Sequence, residues 1–365
     1  MLNNKTIAVV VPAYNEETQI AVVIKTMPDF VDRIIVVDDC STDNTREIVK
    51  ELITTAKGVK GQRIPKAAEQ IQEDFFNRAE VVALEIRKEN AQKLQKHWIY
   101  NDNDTDRVVL LGNQINSKVG GAIRVGYEWC LEHQIDCTAV MAGDAQMDPA
   151  ELESICMPVV NEGVDYVKGN RLSHKAAKRL IPPKRYFGNS VLSALTKVAS
   201  GYWSVSDTQT GYTAISLHAL DSIDLWDIYP SYGMPNDMLI KLNIANCTIR
   251  EIPIKPVYAV GEKSKMKIGK VIPTVSCLLL KGYFMRIVNK YFINDFHPMF
   301  LLHITAWLTL VASLYFFVLI VVSLCGHQAV TLGTYMGFIA LLVTNLISLS
   351  FAMWMDVEDN RRLQK

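Results

Sequence analysis

The 365 residues, 49% of them hydrophobic, suffice for one large domain plus a smaller unit, while 38 basic and 38 acidic side chains cancel, so bulk charge identifies no partner and nucleic acid is not expected. Cysteines Cys40, Cys130, Cys137, Cys156, Cys247, Cys277 and Cys325 show neither CxxC spacing nor nearby histidine clusters, so neither a zinc site nor a disulfide framework is indicated and reduced thiols are the simplest state. Charge is nevertheless uneven: Tyr166 to Ser206 carries eight Lys or Arg and no acid, and Lys263 to Lys290 seven and none, a pattern suited to anionic ligands or an anionic membrane face.

Ile7 to Val11 is a continuous apolar run, as expected of a strand covered on both faces; it is too short for a secretory signal and stops at Pro12. A helix over about Thr18 to Met27 should follow. The next strand, Arg33 to Val37, runs into Asp38-Asp39-Cys40-Ser41-Thr42-Asp43, where Ser41 or Thr42 can cap a helix to Leu52. This βαβα start implies a doubly wound, mainly parallel sheet with helices on both faces. Thr54 to Asp106 interrupts the rhythm. Ile64, Ala68, Ile71, Phe75, Val82 and Ile86 recur at helical intervals, with nine basic and nine acidic residues in the stretch, so a helical insertion packed on the domain or on another subunit is expected.

The sheet resumes at Val108 to Leu111. Asn116 to Gly126 then opens a helix whose small residues, Gly120 among them, allow close approach to a phosphate or a neighbouring strand. No GxGxxG is present, so a nicotinamide-binding fingerprint is absent. A strand over Thr138 to Met141 leads into Ala142-Gly143-Asp144-Ala145-Gln146-Met147-Asp148-Pro149. At the carboxyl end of a parallel strand, side chains point into the ligand crevice, and Asp144 and Gln146 can aim two oxygens at one hard divalent cation bridging two phosphates. The alternative is that Asp148 caps a helix beginning at Pro149 and the polar residues upstream are merely exposed. Further elements are a helix over Glu151 to Glu162, a strand over Val164 to Lys168, a helix over Tyr186 to Val198 and a strand pair within Cys247 to Val260. Polar turns at Asp207 to Gly211 and Tyr232 to Asp237 are pocket candidates or ordinary loops.

Met266 to Tyr291 places apolar helical faces among lysines and reads as interfacial helices. From Pro298 to Met355 there is no Asp, Glu, Lys or Arg, and Met299 to Cys325 and Tyr335 to Met355 each exceed the ~20 residues that cross a bilayer. Basic residues flank the outer ends and not the connecting turn, which places both termini and the preceding domain in the cytoplasm. The expected organisation is a catalytic domain over 1–262 with an insertion at about 54–106, juxtamembrane helices over 263–297, two transmembrane helices over 298–356 and a cytosolic tail over 357–365.

Taken in order, Pro12-Ala13-Tyr14-Asn15-Glu16, Val37 to Asp43, Asn116 to Gly126, Gly143 to Pro149 and Gly169-Asn170-Arg171 resemble the family 2 glycosyltransferases of GT-A fold, and among these the polyprenyl-phosphate glycosyltransferases related to dolichol-phosphate mannose synthase. The resemblance covers roughly residues 5 to 53 and 107 to 265. It implies that Pro12, Tyr14, Glu16, Asp38, Asp39 and Gly120 bind a UDP- or GDP-linked sugar with Lys263 and Lys265 closing over its diphosphate, and that Asp144 and Gln146 hold Mg²⁺ or Mn²⁺. Arg171, Arg185 and Ser190 would bind the acceptor phosphate, and Asp207 and Asp237 would line the sugar pocket, Asp237 being a candidate base. The family's Asp-x-Asp-x-Gln motif has Ala142 at its first position here, leaving one fewer carboxylate for the metal.

Transfer of a hexose, from UDP-glucose or a similar donor, to a membrane polyprenyl phosphate with inversion follows. A phosphate monoester is largely ionised at neutral pH and needs no strong base. Two alternatives stand beside it. A processive or oligosaccharide-extending synthase would carry Gln-x-x-Arg-Trp, which is absent, and a degenerate membrane scaffold is motivated by Ala142 and the insertion. A homo-oligomer is compatible with the insertion.

Overall fold

A computed structural model describes residues 1–55, 64, 73–94, 97–101, 105–257, 268–327 and 329–365. Among these residues eight strands make one sheet: β1 (Ile7–Ala13), β2 (Arg33–Asp38), β3 (His97–Ile99), β4 (Val108–Asn113), β5 (Cys137–Val140), β6 (Tyr166–Asn170), β7 (Thr213–Ser216) and β8 (Ile249–Pro253), in the order β3-β4-β2-β1-β5-β7-β6-β8. Strands β4, β2, β1 and β5 are mutually parallel, as the alternation of strands and helices predicts. β3 pairs antiparallel at one edge, β7 runs antiparallel between β5 and β6, and β6 is parallel to β8. Neither β3 nor β7 is evident in the sequence, because runs of three and four residues carry no readable period.

Period-two alternation feeds two cores, one on each face. Ala8 and Val10 of β1 and Ile35 and Val37 of β2 enter one apolar cluster; Ile7, Val9, Val11, Ile34 and Val36 enter the other. Each of these Val and Ile side chains, fully buried, contributes about 1.5–3 kcal/mol, which is why these runs read as apolar without interruption. The helix Lys118–Glu132 lies tightly on β1 because Gly126 faces Val10: a Cβ there would sit 2.4 Å from Val10 Cγ1.

The 54–106 excursion contains a helix, Arg78–Leu94, but the expected apolar stripe does not pack there. Phe75 is 92% exposed and Ile86 is exposed as well, whereas Ile64 is buried in a core cluster. Ala68 and Ile71 lie outside the described residues. Helix capping after β2 also differs from expectation: Asp43, not Ser41 or Thr42, accepts from the backbone N–H of Thr45, the first residue of the helix Thr45–Thr55.

Past β8 the helix Ile268–Val288 packs Val275 and Leu279 on Ala199 and Ile240, and turns through Asn289–Asn294 into two long helices, Met299–Cys325 and Leu332–Arg361. At ~1.5 Å per residue both exceed the ~30 Å of bilayer hydrocarbon. Leu308, Val311, Leu314, Val322, Leu346 and Ile347 are more than half exposed, an apolar surface of the kind that faces a membrane or a partner. The second helix runs beyond the expected end at Met355 to Arg361. The last residues then return to the sheet: Ile249 N–H donates to Leu363 O at 2.7 Å, Lys365 N–H to Ile249 O at 3.0 Å, and Leu363 is buried in the core.

Candidate functional site

The connection leaving β1 runs to β2 on one side, whereas the chain leaving β5 crosses to β6 on the other, so the carboxyl ends of the adjacent strands β1 and β5 flank a topological switch point, where open α/β sheets bind ligands. A cavity of about 590 Å³ lies there. Pro12 and Ala13 line it from β1, Tyr14 and Glu16 from the turn that follows, Asp39 from the end of β2, and Ala142, Gly143 and Asp144 from the end of β5. Lys118 is the only Lys or Arg among the described residues lining it.

Hydrogen bonds stitch the strand ends together. Asn15 adopts φ +54°, and its side-chain oxygen accepts from Thr42 N–H at 2.8 Å while its own N–H donates to Ser41 Oγ at 3.0 Å. Asp39, nearly buried, accepts through one carboxylate oxygen from Asn113 Nδ2, Ser117 N–H and Ser117 Oγ at 2.8–2.9 Å, and so fixes the loop carrying Asn116 and Lys118. Asp38 stands behind the wall: fully buried, it accepts from Arg46 at 2.7 and 3.1 Å, and the guanidinium lies over Trp98, 4.8 Å from the ring centroid.

At the acidic turn, Ala145 takes φ +57°, and Gln146 N–H donates to Asp144 Oδ1 at 3.1 Å. Asp144 reaches the cavity; Gln146 does not line it and braces the carboxylate through its backbone. Asp148 caps the turn beginning at Pro149 by accepting from Ala150 N–H, which, with Lys255 at 3.1 Å, holds its carboxyl below the usual range. Among the described residues no three Cys, His, Asp or Glu cluster to hold a metal. A divalent ion would therefore rest on Asp144 and fill its shell with phosphate oxygens and water, a donor set that fits Mg²⁺ or Mn²⁺.

Tyr229, Ser231, Tyr232 and Gly233 form the facing wall, with Thr274 and Val275 from the helix Ile268–Val288. Gly120 serves this wall: its N–H donates to Pro230 O at 2.9 Å, and a Cβ would stand 2.3 Å from Tyr229 O. Asp237 is not in the lining; it accepts from Tyr229 N–H at 2.8 Å and from Lys241 Nζ at 2.7 Å, and so holds the wall from behind.

Arg171 follows β6, whose carboxyl end shares the edge of β1 and β5, about 10 Å from β5 at two strand spacings. Its guanidinium makes a two-point contact with the fully buried Asp207, at 2.8 and 3.0 Å. Burial raises the Asp207 pKa, but Arg171 and Lys168 outweigh it and hold the carboxyl below its ordinary value. Burial pushes the Lys168 ammonium down to about 8 against the pull of Asp207 and Glu251. Ser190 is exposed, with its hydroxyl on Tyr186 O. Arg185 belongs to the helix Pro183–Ser200, but its side chain, like all of Lys263 and Lys265, lies outside the described residues.

The expected site residues thus divide. Pro12, Tyr14, Glu16, Asp39 and Asp144 share the cavity; Asp38, Gly120 and Asp237 support its walls; Arg171 and Ser190 do not line it. Sequence reasoning missed Tyr229, Thr274 and Val275, which sit in segments with no polar cluster to mark them.

Residues 8–68 match the protein family described as Glycosyl transferase family 2. The chain is 28% identical over 256 residues, 70% of its length and 87% of the relative's, to the UDP-N-acetylglucosamine–dolichyl-phosphate N-acetylglucosaminyltransferase of Methanococcus voltae. An uncharacterized protein of Methanocaldococcus jannaschii is 25% identical over 259 residues, 70% and 84% of the two chains. Among solved structures, glucosyl-3-phosphoglycerate synthase from Mycobacterium tuberculosis, bound to Mn²⁺, UDP and glucosyl-3-phosphoglycerate, aligns with a TM-score of 0.47 at 18% identity, over 78% of this chain and 80% of that one.

Proposed function

We propose that this chain, a glycosyltransferase carrying a family 2 domain, transfers a hexose or N-acetylhexosamine from a UDP-linked sugar to a polyprenyl phosphate at the cytoplasmic face of a membrane. One observation carries the reading: the cavity at the switch point of the sheet, lined by Glu16, Asp39, Asp144 and Lys118 among apolar residues, has, as part of its wall, the helix that leads into the two long apolar helices. The Methanococcus relative's acceptor, a dolichyl phosphate, supports the same class of lipid here.

In this reading Tyr14, Glu16 and Asp39 seat the nucleotide and Asp144 holds the cation. A bound divalent ion would offset the charge that develops on the diphosphate as it leaves. Lys118 lies on the same cavity and adds positive charge near that leaving group. An oxygen of the lipid monophosphate, already ionised near neutral pH, forms a bond to the anomeric carbon as the bond from that carbon to the diphosphate oxygen breaks; the nucleoside diphosphate departs and the configuration inverts. No base is required, which suits an Asp237 occupied in holding Tyr229. Arg171 grips the acceptor phosphate while Asp207 fixes its guanidinium plane.

The test is a screen of radiolabelled UDP-glucose, UDP-N-acetylglucosamine and GDP-mannose with undecaprenyl phosphate, full-length protein and Mg²⁺ or Mn²⁺. Label in the lipid phase with one UDP-sugar is the expected outcome. Nucleotide binding without transfer to any lipid phosphate would favour a scaffold instead.

A further inference from the structure

A buried polar cluster outside the cavity lining ties the long helices to the sheet-bearing domain. Arg286, with no exposed surface, donates Nη1 and Nη2 to the Asp356 carboxylate at 2.6 and 3.0 Å. The same guanidinium donates Nε to Ala199 O at 2.9 Å and Nη2 to Val198 O at 3.1 Å, so it joins its own helix, Ile268–Val288, to the ends of Pro183–Ser200 and Leu332–Arg361. Asp356 also accepts from Tyr291 Oη at 2.8 Å and Trp203 Nε1 at 3.1 Å. Asn360 completes the cluster, accepting from Lys290 Nζ at 2.6 Å and from Asn243 Nδ2 at 2.7 Å. The site is built for the guanidinium: Gly201, at φ +76°, would place a Cβ 2.6 Å from Arg286 Nη1.

Two facts give the cluster a direction. Asp356 is the first charged residue after the charge-free tract Pro298 to Met355, so the cluster stands at the end of the apolar hairpin. The two helices it grips at their distal ends, Met234–Ile244 through Asn243 and Ile268–Val288 through Arg286, both reach the cavity at their near ends, with Gly233 just before the first and Thr274 and Val275 within the second. Burying an ion pair usually gives little net stability over apolar packing, so its retention fits a role in fixing geometry.

We propose that Arg286 and Asp356, with Tyr291 and Asn360, are positioning residues that set the height and tilt of the cavity over the bilayer, so that a phosphate anchored in the membrane, and not merely a dissolved one, reaches it. The inference rests on the lipid-acceptor function proposed above. Full-length protein in liposomes is assayed with undecaprenyl phosphate and with geranyl phosphate, a short water-soluble acceptor. If wild type uses neither, the acceptor reading itself fails. Given a wild type active on both, Asp356→Asn raises KM for undecaprenyl phosphate roughly tenfold or more, while kcat/KM for geranyl phosphate and KM for the nucleotide sugar stay within about twofold. Asp356→Glu recovers most of the long-chain activity. Tyr291→Phe, which removes a single hydroxyl and keeps the packing, shifts the long-chain KM in the same direction by about two- to fivefold. Equal losses with both acceptors, or an unchanged long-chain KM in Tyr291→Phe, overturn the proposal.

Discussion

Asp144 is the carboxylate of the acidic turn that lines the cavity; Ala142 stands two residues before it, and Gln146 N–H donates to it. Asp144→Ala should therefore lower kcat on the order of 10²-fold or more with an unchanged unfolding midpoint, since the side chain braces a turn and not a core. Arg171→Ala has a double effect: KM for the lipid acceptor rises, and Asp207 is left buried without its partner, at a cost of about 3–5 kcal/mol seen as a lower midpoint. A normal midpoint in that variant would mean that Asp207 does not depend on the pair. Lys168 offers a pH test. Its ammonium is lowered from 10.5 to about 8, so between those values the folded state binds fewer protons than the unfolded one, and stability rises with pH across that window. The midpoint of wild type relative to Lys168→Met should climb from pH 8 toward 10.5; a flat difference would show that Lys168 titrates normally.

Among the elements, the walls of the cavity depend on close backbone approach. Gly120→Ala forces a methyl to within 2.3 Å of Tyr229 O, so the Tyr229–Gly233 wall must shift; KM for the nucleotide sugar should rise and stability fall by about 1–3 kcal/mol. Unaltered donor KM would remove that wall from the donor site. The floor of the site was legible in the sequence because its residues stand where an apolar run meets a polar cluster: Val11 before Pro12 and Tyr14, Val37 before Asp39, and Met141 before Asp144. The facing wall was not, since Tyr229, Thr274 and Val275 are brought in by the tertiary fold from segments without such a junction. The helix Arg78–Leu94 shows the opposite failure: apolar residues at helical spacing marked a real helix, but Phe75 and Ile86 remain exposed where a packed face was expected.

At the level of the whole molecule, the hairpin is part of the domain and not an appended anchor. Its first helix continues from a cavity wall, its second ends in the Asp356 cluster, and Leu363 is buried beside β8. Charge-free length alone predicts the spans; the return of the last residues to the sheet had no sequence signal, because a four-residue tail has no period to read. The cytoplasmic orientation proposed above rests on the basic flanks of the hairpin. The most direct measurement is transfer of radiolabelled sugar from the UDP-sugar to undecaprenyl phosphate by full-length protein in liposomes, compared with Asp144→Ala. Labelled lipid formed by wild type with Mg²⁺ or Mn²⁺, and lost in the variant, is the predicted result. No labelled lipid from wild type, or equal amounts from both proteins, would contradict it.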